Sequence, residues 1–148
     1  MTATDWAHLP NAAHIDRVIA SAIAHRNQWD EAWNTVQDAG QTVARQAVRN
    51  AVWSKAWAEA WSTVLDAGRS AEYKAAWLEA WLEAQNAALE AALAGAWCAL
   101  LALCAYDDCA YMLDSDPGEL AILAAFGDPR AVLLLSACKA FHSIKESA

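Results

Sequence analysis

The stretch AYDDCAYML, residues 105–113, gathers the densest set of reactive groups in the chain. Asp107 and Asp108 stand side by side, flanked by Tyr106 and Tyr111. Two carboxylates act as general acid and base when they face each other across a bond. Adjacent positions on a helix point about 100° apart, so this pair does not make that arrangement. Asp107 and Tyr111 are four residues apart and on a helix share a face. A carboxylate buried there has to be paired or hydrogen-bonded. Tyr hydroxyls, indole N–H groups, or arginines such as Arg45 and Arg49 are its candidate partners. Two readings follow. Either one aspartate is exposed while the other anchors a neighbouring helix, or the pair makes a polar contact at a pocket floor or on a binding face.

The remaining reactive residues do not form a catalytic or metal-binding pattern. His14 and His25 are eleven apart, about three turns along a helix, too far to share one metal ion. The four cysteines, Cys98, Cys104, Cys109 and Cys138, contain no C-x-x-C pair. The first three are spaced by six and five, which does not gather thiolates around zinc. They read as small buried hydrophobes in a reducing, cytosolic compartment without a disulfide framework. No G-x-S-x-G, P-loop or H-E-x-x-H occurs, nor the Glu-x-x-His of di-iron bundles. The expectation is a non-enzymatic protein that uses no metal and no cofactor.

The elements that position these residues are helices. The chain has 148 residues, 57% hydrophobic and 19% charged, with only five Gly and three Pro. That excludes a disordered chain, and alanine, the most frequent residue, is the best helix former. One domain of this length buries a real core. The expected fold is all-α: a compact bundle of five to seven helices over residues 1–148. Residues 1–94 form its Ala/Trp-rich part, and residues 95–148 supply Leu-rich helices that close the core.

A duplicated phrase supports this. WDEAWNTVQDAG at 29–40 and WAEAWSTVLDAG at 57–68 share nine of twelve positions at an offset of 28. Trp29 and Trp33, then Trp53, Trp57 and Trp61, then Trp77 and Trp81 recur at four-residue steps. Each group makes a short aromatic stripe on one helix face. The expected packing has indoles as knobs and alanine faces as shallow holes. Some indoles, Trp53 and Trp57 foremost, are candidates to stack on a planar ligand, with Arg45 and Arg49 (or Arg69) pairing its phosphate. Gly40 and Gly68, followed by Thr42 and Ser70, read as helix stops followed by N-caps, in a repeat of about 25 helical residues and a turn. The rival reading keeps the helix continuous, with each glycine admitting a close neighbour. Near residue 85 a third copy loses both Trp, so the repeat is a local duplication, not a solenoid.

Other boundaries are plain. Pro10-Asn11 precedes a helix whose apolar face is Ile15, Val18, Ile19, Ala22 and Ile23. The uncharged run 91–106 is sixteen residues long, short of the roughly 20 that span a bilayer, and reads as a buried central helix. Asp116-Pro117-Gly118-Glu119 reads as a capping box, and Gly127-Asp128-Pro129 as a stop followed by a new start. Two short apolar helices are therefore expected near 117–126 and 129–142, both closing the core.

Charge narrows the partners. The net charge is −8, and residues 75–129 hold nine acids and no Lys or Arg. A basic footprint for nucleic acid is missing, and the acidic block attracts basic protein surfaces. Its plain alternative is a solubilising surface. Glu79, Glu83 and Glu90, at spacings of four and seven, are expected on one exposed helix face. The N-terminus shows no basic region followed by an apolar core, so a secretory signal is not expected.

The Ala-rich, Trp-punctuated first half, with AWNTVQDAG, VWSKAWAEAWSTVLDAG and AAWLEAWLEAQNAALEAAL, resembles small helical proteins of tailed bacteriophages and prophages. LLALCAYDDCAYML and GDPRAVLLLSACKAF are similar to the ends of such proteins. The resemblance implies an accessory protein made in the cytoplasm of a bacterial host, countering host defence by binding and blocking a host protein. Its alternatives are a sponge that holds a nucleotide-type immune signal between helices, and a virion assembly protein. A homo-oligomer, without direct nucleic-acid or membrane binding, is the expected form.

Overall fold

The computed structural model describes residue 7 and residues 9–38, 43–65, 70–87 and 90–147. Among them the chain is all-helical, with seven α-helices, one 3-10 turn and no strand. The helices are α1 (Ala12–Ala24), α2 (Arg26–Asp38), α3 (Val43–Leu65), α4 (Ser70–Ala87), α5 (Glu90–Ala105), α6 (Pro117–Ala125) and α7 (Pro129–Ser147). The 3-10 turn is Ala110–Asp114.

The uncharged run becomes α5, at the centre of the bundle. Every residue from Cys98 to Ala105 is buried, so this helix is apolar around its whole circumference. α1, α2, α3, α4 and α7 all pack on it, and α7 also contacts α2, α3 and α6. Gly95 faces α7 and the Trp29 ring. A Cβ built there meets Ser136 Cβ and the Trp29 ring at 3.4 Å each, close van der Waals contact that a side chain larger than alanine would overfill.

Each tryptophan group occupies its own helix, as the spacing requires, but the packing logic differs from knobs in alanine holes. In α3 the buried seam is Ala56, Ala60 and Val64, and in α4 it is Ala76 and Ala80. Small residues make the close helix contact, while Trp53, Trp57, Trp61 and Trp77 lie half-buried along its edges. Trp53 stacks on Trp57 at 5.4 Å, and Trp61 meets Trp77 edge-on at 4.7 Å. Only in α2 does the phrase bury an indole outright. Trp29 is fully buried, donates its N–H to Ser21 Oγ at 2.9 Å and meets the Phe141 ring edge-on at 5.5 Å. The two copies are thus equivalent in helix type and not in burial.

The capping signals hold. Asp116 accepts the Glu119 N–H at 3.1 Å and Pro117 opens α6. Gly127, at φ +84°, ends that corner in the left-handed region, which glycine enters without steric cost. Asp128 then accepts the Arg130 N–H at 3.0 Å as α7 begins. α7 is no short helix, however: it runs nineteen residues, to Ser147. The Gly40 and Gly68 readings lie outside the described residues.

Asn11 does more than mark a boundary. Its side chain makes no cap on α1. Buried, it donates instead to the carbonyls of Leu103 at 2.9 Å and Tyr106 at 2.8 Å. The last carbonyls of a helix have no partner within it, and here a residue from the far end of the chain supplies one. Asn11→Ala takes that donor from the buried Leu103 carbonyl and from the part-buried Tyr106 carbonyl, which keeps only the Cys109 thiol. It should cost roughly 2–3 kcal/mol and lower the thermal midpoint by about 5–10 °C, read by circular dichroism.

The cysteines are structural. All four are buried and free. The Cys109 thiol donates to the carbonyls of Ala102 at 3.4 Å and Tyr106 at 3.3 Å, and Cys138 to Ser115 at 3.1 Å. The Trp53 indole N–H sits beside the Cys98 sulfur without the alignment of a full hydrogen bond. Burial pushes Cys98 and Cys109 from an ordinary 9.0 up to about 12, and Cys138 to about 11. In the unfolded chain the thiols ionise near 9, while the folded ones keep their protons. The unfolded state therefore binds fewer protons across that window, and stability falls as pH rises from 9 towards 11–12. The expected result is a thermal midpoint that drops over this range, with a shallower slope in Cys98→Ala. An identical slope in both proteins would contradict the assignment.

Candidate functional site

Asp107 and Asp108 fall just beyond α5, in the turn between Ala105 and the 3-10 helix. Neither is buried, which corrects the expectation that one of the pair anchors a neighbour from inside. Because α5 ends at Ala105, Asp107 and Tyr111 do not share a helix face either. Tyr111 is exposed. The buried anchor in this segment is its backbone, held by Asn11 and Cys109.

Asp108 pairs with an arginine, Arg130, which the sequence reading does not single out. Arg130 Nη1 lies 3.4 Å from Asp108 Oδ1, and Nη2 lies 3.3 Å from Asp128 Oδ2. The hydrogen bond to Asp128 comes first among the causes that raise the Arg130 pKa, with the charges of Asp128, Asp108 and Tyr111 adding to it. Tyr106, which the sequence offers only as a flank, is the half-buried tyrosine. Its hydroxyl lies beside the Thr63 side chain, and burial, aided by the charges of Glu59 and Asp128, raises its pKa. The turn after α5, the start of α7 and the end of α3 therefore meet in one polar corner.

Exposed apolar side chains precede the Asp128–Arg130 part of this corner along the chain. Phe126, four residues before Arg130, is 85% exposed. Ile122 and Leu123 of α6 are exposed at 59% and 42%. Ile122 and Phe126 are about one turn apart, and Glu119 lies about one turn before Ile122, so these three follow one stripe along α6 with Leu123 beside it. Of this helix only Leu120 is fully buried. The expectation that α6 closes the core is corrected: it packs on the core through Leu120, with Ala121 and Ala124 partly buried beside it, and turns its other large residues outward. A helix apolar all round is ordinarily a core helix. The signal available in the sequence is that Leu120, Ile122, Leu123 and Phe126 span more directions than a nine-residue surface helix can bury.

The other candidate residues lie elsewhere. Trp53 and Trp57 pack on each other and on the core. The side chains of Arg45, Arg49, Glu83 and Glu90 lie outside the described residues, as does Arg69. Glu79 is exposed on α4. The expected three-glutamate face does not form by spacing along one helix, because α4 ends at Ala87 and Glu90 begins α5. Leu78 and Leu82 are also exposed on α4.

A groove of about 200 Å³ runs between α2, the start of α6 and α7, lined by Gln28, Glu31, Thr35, Lys139 and His142 among others. Pockets for nucleotide-sized ligands are about 300–1,000 Å³ and largely apolar. Among the described residues no group of three or more His, Cys, Asp or Glu is placed to hold a metal ion, and no helix is long and apolar enough to cross a membrane.

No family model, curated protein or solved structure matches this chain. The site rests on its own geometry. Its features are an exposed aromatic and two exposed aliphatics on and just after α6, and the Arg130–Asp108–Asp128 network that follows them along the chain.

Proposed function

We propose that this protein works by occupying a surface of a partner protein, with the outer face of α6 and the adjoining Asp107–Asp108 corner as its docking site. The observation that carries this reading is Phe126, a full aromatic ring held 85% exposed at the end of α6. Large apolar groups clustered on a surface mark sites of association. Ile122 and Leu123 extend the cluster, and Tyr111 adds a second exposed aromatic near Arg130. The resemblance to phage and prophage proteins supplies the setting: a host-defence protein as the partner, blocked by a non-enzymatic accessory protein in the bacterial cytoplasm.

The test is site-specific cross-linking. A photo-reactive amino acid placed at Ile122 should capture one host protein in producing cells, and the same probe at Glu79 on α4 should not. Equal capture from both positions, or capture from neither, removes α6 as the docking face.

A further inference from the structure

The charges around α6 specify the chemistry of its occupant, and this inference rests on the docking reading above. Between Tyr106 and Asp128 the chain carries six acids, Asp107, Asp108, Asp114, Asp116, Glu119 and Asp128, and no Lys or Arg. Two of the arginines that reach this region are engaged within the fold. Arg17 pairs with Asp114 at 3.1 Å while lying over the Phe141 ring, and Arg130 lies between Asp108 and Asp128. Glu119 and Asp116 are exposed at the N-terminal end of the apolar stripe, and Asp107 and Asp108 are exposed in the turn that Arg130 ties to the start of α7. Along the chain the stripe of Ile122, Leu123 and Phe126 is thus preceded by Asp116 and Glu119 and followed by Asp128, which Arg130 links to Asp108.

We infer that the occupant is a cationic amphipathic helix of the partner protein. Its apolar side lies on Ile122, Leu123 and Phe126, and its Lys or Arg side chains reach Glu119, Asp116 and the Asp107–Asp108 turn. α6 is nine residues long, about 13 Å, which matches a helix of two to three turns. A second copy of this chain fits less well. A two-fold contact through this face brings like carboxylates together, and like charges across an interface oppose association.

The test uses three helical peptides, each about four turns long, with the intact protein, followed by fluorescence anisotropy at low and high salt. One is an amphipathic Leu/Lys helix, one its Leu/Glu counterpart, and one a Leu/Lys sequence scrambled to remove the apolar face. The Leu/Lys helix should bind at least about tenfold tighter than the other two. Phe126→Asp should weaken it by at least about tenfold, although this variant makes the protein more acidic; a purely electrostatic contact would strengthen. The double variant D116N/E119Q should weaken binding at low salt and flatten the salt dependence, while the asparagine it introduces still caps α6. Equal binding of the Leu/Glu helix, indifference to Phe126→Asp, or binding of none of the peptides overturns the proposal. The cross-link at Ile122 separates this from the parent reading. A captured partner whose cross-linked segment is acidic or uncharged refutes the cationic helix and leaves the docking face standing.

Discussion

Trp29→Ala should be among the most destabilising single substitutions in this protein, costing about 3–5 kcal/mol. The indole is fully buried, lies against α5 at Gly95, and meets Phe141 of α7 edge-on. Removing it opens a cavity where three helices converge. It also leaves Ser21 Oγ without its donor. A domain of this size is stable by about 5–15 kcal/mol, so the loss takes a large share. Trp29→Phe should fall between the two, since it keeps a ring and loses the N–H. Urea unfolding measures both. A midpoint for Trp29→Ala within experimental error of wild type would contradict the packing described. The equivalent change in the second copy of the repeat, Trp57→Ala, should cost less, because Trp57 lies half-buried at the edge of an alanine seam.

Phe126→Asp should have the opposite profile. Its ring is 85% exposed, and Phe126 caps α6 through its backbone N–H, which the substitution keeps, so the main cost is a negative charge at a helix C-terminus, about 0.3–1 kcal/mol, and the thermal midpoint should fall by no more than a few degrees. Partner affinity should fall by roughly 30- to 1,000-fold, the range of about 2–4 kcal/mol seen at aromatic anchors of interfaces. Titrating the cross-linked partner by calorimetry against both proteins reads this directly. Together with Trp29→Ala it separates the two roles an aromatic side chain plays here. One indole holds the bundle together from inside, while one phenyl ring lies on the surface, where the proposed docking places it.

Much of the fold is legible because its signals are local. A sixteen-residue uncharged run reads as a central helix, and it is α5. Asp116-Pro117 and Asp128-Pro129 announce helix starts through their own side chains and rings, and α6 and α7 begin at those prolines. The four-residue Trp steps specify helices, since the period is a property of the helix alone. What the spacing does not specify is which side of each stripe faces inward. That depends on neighbours distant in sequence, so Ala56, Ala60 and Val64 take the seam and the indoles take its edges. The Asn11 bonds to Leu103 and Tyr106 bridge more than 90 residues, and no local pattern encodes them.

The site is half legible. The Asp107–Asp108 turn stands out in the sequence for its chemistry, and it lies on the surface. Its partner does not stand out, because Arg130 is 22 residues beyond Asp108 and is brought back by the Gly127 corner. Ile122, Leu123 and Phe126 read as core on hydrophobicity alone. Hydrophobicity reports a preference for burial without saying by what, and a surface kept for a partner carries the same residues as a surface kept for a neighbouring helix.

The central claim is that the outer face of α6 holds a partner protein. Native mass spectrometry of the wild-type chain and Phe126→Asp, each purified gently from producing bacteria, tests it most directly. The wild-type chain should carry the mass of a host protein, and Phe126→Asp should appear without it. If both proteins carry the partner equally, or if the wild-type chain retains only a small-molecule ligand, the docking face is wrong. In the second case, attention moves to the helix interfaces lined by Trp53 and Trp57.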